Sequence, residues 1–256
     1  MSMNEIIKIE KKGMTGTIIM AHGPMNILNT DMLQKLREAL DGLEKDDTVR
    51  VAVLTGDRNF SAGADIREMR SKTPEEALAF SRLGHSVCGF IEKMGKPVIA
   101  AVRGHALGGG FEIALACDMR IADEGAKFGL PELDLGLIPG FGGTQRLPLL
   151  IGAAKAKELI FTGRTVEAKE AERLGLLTGV SKDGELMKDA EETAFVLAGK
   201  NPMTIRSVKR LINEGLRSGG GFEKEPIFFS QCFSSEDHLE GINAFLEKRK
   251  PIFKGR

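Results

Sequence analysis

The stretch from Pro97 to Ala116 constrains this chain more than any other. It opens with an apolar run, Pro97-Val-Ile-Ala-Ala-Val102, that reads as a buried strand. Gly104-His-Ala-Leu-Gly108-Gly109-Gly110 follows, and then Phe111–Ala116, apolar all round except for Glu112. Glycines have no Cβ and let a ligand come close to the main chain. If a helix starts at these glycines, its first N–H groups have no partner inside the helix. Such donors can hold a developing oxyanion. A second acid, Glu132, follows in the loop Gly129-Leu-Pro131-Glu132-Leu-Asp-Leu-Gly136. Two acids beside such donors suit acid–base work on atoms next to a carbonyl.

The same alternation recurs along the chain. Residues 6–10 and 16–21 read as two short strands with a turn at Lys12-Gly13. Asn29-Thr30-Asp31 can cap a helix that carries Met32, Leu33, Leu36, Leu40 and Leu43 on one face. Val49–Leu54 is a second buried strand, ended by Thr55-Gly56-Asp57. Thr73-Pro74-Glu75-Glu76 predicts a helix start, with a capping Thr, a Pro in the first turn and acids against the dipole. That helix is expected to reach Lys93. Met119–Ala122 reads as a short strand, and Lys127-Phe128 begins another. Strand, turn and helix thus alternate as in a parallel sheet. Beyond about residue 145 the pattern is helical. Helices are expected at Ala153–Phe161, Val166–Leu174, two between about 186 and 215 broken at Asn201-Pro202, and one over about 235–248. The fold class is α/β, with no low-complexity linker.

Composition narrows the function. Lys+Arg and Asp+Glu balance at 36 each, so no global field draws nucleic acid or a membrane surface. No Trp or Tyr is present to make a base-stacking platform, although 14 Phe weaken that point. Cys88, Cys117 and Cys232 are sparse and unpaired in spacing, as in a reduced, cytoplasmic protein. The four His form no metal-ligating cluster, so no metal is expected. No apolar run approaches the roughly 20 residues of a membrane span.

The glycine run lacks the G-x-G-x-x-G spacing of a dinucleotide loop and the Gly-Lys-Ser/Thr of a phosphate loop. It remains open to a plain reading as a tight turn. Glu112 is costly to bury unless paired or functional; its plain alternative is a partner for an Arg or a helix N-terminus. Glu132 has the alternative of an exposed loop acid. Together in one apolar pocket, two carboxyls push each other's titrations apart, leaving one protonated while the other is a base. Phe60-Ser-Ala-Gly-Ala-Asp-Ile66 forms another small-residue bend after the Val49–Leu54 strand. One N–H from each bend would make a two-donor hole. No Gly-x-Ser-x-Gly nucleophile motif is present.

Four ordered motifs carry a resemblance: Phe60-Ser-Ala-Gly-Ala-Asp-Ile-Arg-Glu-Met69, Ala106-Leu-Gly-Gly-Gly-Phe-Glu112, Phe128-Gly-Leu-Pro-Glu132 and Ile138-Pro-Gly-Phe-Gly-Gly-Thr-Gln-Arg146. They resemble the crotonase (enoyl-CoA hydratase/isomerase) superfamily over nearly the whole chain. Ser235–Lys250 is similar to the family's closing helix. The resemblance implies a spiral of repeated ββα units over 1–200 and a helical region over 201–256 that packs on the core or on neighbours, in a homotrimer or homohexamer. It implies acyl-CoA thioester substrates and no separate cofactor. The oxyanion donors would be the N–H groups of Ala64 and Gly109. The acids would be Glu112, deprotonating water, and Glu132, donating a proton to Cα. Coenzyme A would be bound by Ala62, Ala64, Asp65, Ile66, Arg67 and Gly109, with Phe229 and Lys248 from the tail.

The family's hydratases keep both acids, as this chain does, so reversible syn hydration of 2-enoyl-CoA to 3-hydroxyacyl-CoA is implied. An enoyl-CoA isomerase, or another acyl-CoA dehydratase, is the alternative within the family. A non-catalytic RNA-binding or scaffold protein on the same fold is the alternative of another class. Two departures stand out. Met25 occupies a position where a basic residue is frequent, removing one expected contact to the coenzyme A phosphates. Arg67 replaces a common Lys, and its guanidinium can grip phosphate bidentately. Acyl-chain length is expected to depend on side chains from the Arg70–Phe90 region and the helix after it.

Overall fold

The apolar runs become neighbouring strands of one sheet, and the bends that follow them build a second. The computed structural model describes residues 6–255. The chain runs β1 (Ile7–Lys12), β2 (Thr15–Met20), α1 (Thr30–Lys45), β3 (Val51–Gly56), α2 (Ile66–Met69), α3 (Pro74–Lys93), β4 (Val98–Val102), β5 (His105–Leu107) and α4 (Gly109–Ala116). It continues through β6 (Met119–Asp123), β7 (Lys127–Gly129), a 3₁₀ turn (Glu132–Leu135), α5 (Gly143–Ile151), α6 (Ala153–Thr162), β8 (Val166–Glu167), α7 (Ala168–Arg173) and β9 (Gly179–Ser181). The helices α8 (Leu186–Ala198), α9 (Pro202–Ser218), α10 (Gly221–Cys232) and α11 (Glu236–Leu246) complete it. No described helix is long and apolar enough to cross a membrane.

Strands β2, β3, β4 and β6 lie parallel, with Thr17 opposite Val53, Val53 opposite Ile99 and Ile99 opposite Met119. β1 borders β2 antiparallel at one edge, and β9 borders β6 at the other. After each central strand the chain makes a second extended segment that pairs in parallel with its counterpart in the next unit. Leu28 bridges Ala64, Ser61 bridges Ala106, and β5 pairs with β7. Helical structure then follows: α1, α2 with α3, α4, and the 3₁₀ turn. Strand, strand, helix is one turn of a spiral, advancing one strand spacing of about 4.8 Å each time.

Side chains alternate across the central sheet, so each strand feeds two cores. Leu54, Val98, Ala100 and Val102 join the large core that holds α1, α3 and α4. Val51, Val53, Ile99 and Ala101 pack with Leu186, Ala190, Ala194 and Ala198 of α8. Helix starts follow their capping chemistry. Asn29 Oδ1 accepts the Met32 amide at 2.8 Å. Thr73 and Glu76 form a reciprocal capping box, and α3 ends at Lys93 as its sequence predicts. Asn201 accepts the amides of Met203 and Thr204, which starts α9 beyond the expected break.

The structure corrects several expectations. β3 begins at Val51, two residues late, because Val49 N–H closes a turn onto Asp46 O. Val166 and Glu167 are not the start of a helix; they pair antiparallel with Phe128 and Lys127 of β7. His105–Leu107, within the glycine stretch, is strand β5 because β7 offers it a partner. The last helix stops at Leu246, and Lys248 adopts φ +56. Helix α9 is tied to the core by Lys209, whose Nζ donates to Ile91 O, Lys96 O and Asp118 Oδ2.

Candidate active site

The second strand of each spiral turn delivers its bend to one cleft of about 840 Å³. Ala64, Gly109, Glu112 and Glu132 all line it. The expected grouping of these four residues is therefore what the topology produces, although they come from three different turns of the spiral.

Ala64 sits in an extended segment. Leu28 N–H donates to Gly63 O at 2.9 Å, and Asp65 N–H donates to Leu28 O at 3.0 Å. Successive groups alternate sides in extended backbone, so the Ala64 N–H is turned away from Leu28. Gly109 is the first residue of α4, where an N–H has no acceptor in a preceding helical turn. Among the described residues, no protein acceptor takes either amide. The bends nearly touch. A Cβ on Gly63, which has φ +95, would lie 2.8 Å from Leu107 O and 3.4 Å from Gly109 N. Gly108, at φ +49, is excluded from carrying a side chain by its backbone and by Glu132 Oε1, 3.0 Å from where a Cβ would stand.

Glu112 is 1% exposed. Its Oε1 accepts the amides of Phe141 at 2.8 Å and Gly143 at 2.6 Å. Burial pushes its carboxyl above the usual range, while those two amides and the Arg146 charge pull it back. Its partners are thus one loop amide, that of Phe141, and the first amide of α5, that of Gly143, which is a helix N-terminus. The Arg146 charge acts on it without a direct hydrogen bond. Glu132 stands at the start of the 3₁₀ turn. Its Oε2 is buried without a hydrogen-bond partner among the described residues. Burial, reinforced by the Glu112 carboxyl and opposed by its own amide, pushes it up to about 7. A half-buried acid with one buried, uncommitted oxygen is poised to exchange a proton with a ligand.

The other expected contacts are distributed more widely. Ile66, 52% exposed, lines the cleft beside Ala64. Ala62 precedes it, and Arg67 is exposed. Asp65 is occupied as the cap of α2, accepting the amides of Arg67 and Glu68. Phe229 is 66% exposed and meets Phe233 edge-to-face in the tail; neither it nor Lys248 lines this chain's cleft. One wall comes from α3, through Ala77, Phe80, Ser81 and His85, inside the Arg70–Phe90 region expected to govern acyl length. The role of the Phe141 and Gly143 amides was not legible. Their motif is visible in Ile138–Arg146, but nothing in it says which atom the amides meet.

A family model described as enoyl-CoA hydratase/isomerase matches residues 11–256. The short-chain-enoyl-CoA hydratase of Clostridium acetobutylicum is 43% identical across 98% of this chain and 97% of that protein. The crotonyl-CoA hydratase of Syntrophomonas wolfei is 44% identical across 90% of both. The crystal structure of an enoyl-CoA hydratase from Bacillus anthracis, 37% identical, superposes with a TM-score of 0.94 over 98% of this chain and 100% of that one. In sequence and in its spiral of ββα units, the chain belongs to the enoyl-CoA hydratase/isomerase, or crotonase, family.

Proposed function

We propose that this chain reversibly hydrates short 2-enoyl-CoA thioesters to 3-hydroxyacyl-CoA. The observation that carries the reading is the meeting of two unpartnered main-chain amides with the buried Glu112 carboxyl and the half-buried Glu132 carboxyl in one cleft. The amides of Ala64 and Gly109 would share the thioester oxygen. As water adds at C3, the double-bond electrons shift toward the carbonyl and its oxygen becomes negative, which is where the amides act. Glu112, as carboxylate, takes a proton from the water while the water oxygen bonds to C3. Glu132, as acid, gives its proton to C2. The net change is one added water, so no separate cofactor enters the balance; solvent exchange resets the two acids. The short-chain and crotonyl activities named for the two relatives support short acyl chains.

We assign coenzyme A to the Ala62–Arg67 segment and Gly109, with Phe229 and Lys248 assigned to the tail. The exposed apolar side chains of that tail, including Phe222, Phe229 and Phe245, support assembly as a homotrimer or homohexamer.

The direct test is crotonyl-CoA in buffer with the purified chain. Loss of the conjugated thioester absorbance and appearance of 3-hydroxybutyryl-CoA are expected. An unchanged spectrum sinks the reading, and a double-bond isomer as the sole product from a 3-enoyl thioester moves it to isomerisation. The pH profile has a defined sign. Glu132's proton is held up to about 7, and hydration needs that proton. The hydration kcat/KM is therefore expected to fall as pH rises through about 7, a macroscopic step shared with Glu112. Glu132→Gln removes that limb.

A further inference from the structure

Four residues of α3, spaced three or four apart and so on one face, converge on the machinery around Glu112. Ser81 Oγ donates to Gly140 O at 2.6 Å. Gly84 leaves space for the Phe141 ring; a Cβ there would lie 2.1 Å from it. Cys88 Sγ approaches Glu112 O at 3.8 Å. Glu92 accepts from Arg146 Nε at 2.8 Å and Nη2 at 2.9 Å, a two-pronged ion pair with side chains only 12% and 11% exposed. Arg146 Nη1 donates to Phe141 O at 2.7 Å.

These bonds clamp three successive peptides. The 140–141 peptide is held at its C=O by Ser81, and its N–H is the one that reaches Glu112. The 141–142 peptide is held at its C=O by Arg146. The 142–143 peptide contributes the Gly143 N–H, the second donor to Glu112. Gly142, at φ +108, is the pivot between them, and a Cβ there would fall 2.1 Å from Arg146 Nη1. Fixing the middle peptide fixes the direction of both donors.

We propose that the Glu92–Arg146 ion pair is a positioning device that holds the Glu112 carboxylate in its working orientation. Neither side chain is placed to touch the reacting atoms. A buried ion pair is weak support for folding, because apolar replacement of both members is often neutral or stabilising, whereas loss of one strands the other. An orienting role makes a different demand, since an apolar pair cannot hold the Phe141 carbonyl. Misplacement by about 1 Å costs on the order of 100-fold in rate.

The proposal rests on the hydration reading for its kinetic arm alone. The test compares wild type with the double variant Glu92→Leu/Arg146→Met, and with Arg146→Lys and Glu92→Gln. Crotonyl-CoA hydration is measured alongside the thermal midpoint and an infrared titration of the Glu112 carboxyl, identified by its loss in Glu112→Gln. The double variant is expected to keep its thermal midpoint and KM but lose about 10- to 100-fold in kcat. Its Glu112 titration moves to higher pH, because the Arg146 cation that pulls it down is gone. The other groups facing Glu112, Glu132 from the 3₁₀ turn and Cys88 from α3, are unchanged, as is His85 on the cleft wall. Arg146→Lys restores part of the lost kcat. An unmoved Glu112 titration overturns the proposal, as does a loss confined to KM, or a Lys variant no better than the double variant. If the double variant does not fold, Glu92→Gln decides by the KM-against-kcat split: a loss in kcat with KM kept supports the proposal and an unchanged kcat overturns it. Its Glu112 titration is not expected to rise, because Arg146 keeps its charge. A wild type that hydrates nothing sinks the hydration reading, while the Glu112 titration still judges the ion pair.

Discussion

Replacing Glu132 or Glu112 by Gln is expected to remove nearly all turnover with crotonyl-CoA while leaving thioester binding intact. The loss of one positioned acid or base is worth roughly 10²–10⁴ in kcat. Both substitutions preserve shape. In Glu112→Gln the side-chain oxygen can still accept from Phe141 and Gly143, so the loop stays in place and only proton acceptance is lost. In Glu132→Gln the unpartnered Oε2 position receives an amide group that has no proton to yield. That change also relieves the repulsion between two neighbouring carboxyls. Steady-state hydration rates, read beside calorimetric binding of a saturated acyl-CoA, make the check. Turnover near wild type in either variant would refute the two-acid mechanism, and lost binding in both would show that the acids serve affinity instead.

The second large effect is expected from Gly110→Ala. A Cβ at Gly110 would stand 2.5 Å from Ser61 O, 2.6 Å from Ser61 Cβ and 2.9 Å from Ser61 Oγ. Ser61 has no room to yield. Its carbonyl accepts the Leu107 amide at 2.9 Å, and its hydroxyl donates to Asn26 O at 2.7 Å while accepting from Gly63 N. The bends that carry the Ala64 and Gly109 amides must therefore separate. Loss of one oxyanion donor costs roughly 10²–10³ in kcat, and forced overpacking costs about 1–3 kcal/mol of stability. Gly89→Ala, in α3 with nothing within 4 Å of its added methyl, is the control, expected to leave kcat unchanged. Denaturant midpoints and kcat for the two variants separate the readings. A Gly110→Ala enzyme with full kcat would show that the spacing of the two bends does not matter.

Local chemistry made much of the architecture legible. The Thr73-Pro-Glu-Glu start set the N-terminus of α3, because cap, proline and acids act within one helical turn. The apolar runs marked β3 and β4 because strands buried on both faces are apolar nearly throughout. β5 and β8 escaped the same reading. They are three and two residues long, and each owes its hydrogen bonds to β7 rather than to its own composition.

The candidate site divides in the same way. The acids and glycines were visible as residue types, since a lone carboxylate in an apolar helix and consecutive positions without Cβ are costly without a purpose. The partners of the acids were not. Glu112 meets Phe141 and Gly143 from 29 and 31 residues away, and the link from Arg146 back to Glu92 spans 54. By itself, then, the order of residues determined which segments could be strand, bend or helix and which carried chemistry, because those properties arise within a few peptide units. Only the spiral decided that the Ala64 and Gly109 amides share a cleft with two carboxyls, one buried and one half-buried. Hydrogen-bond direction and desolvation belong to packing between distant segments, and no local window of the chain contains them.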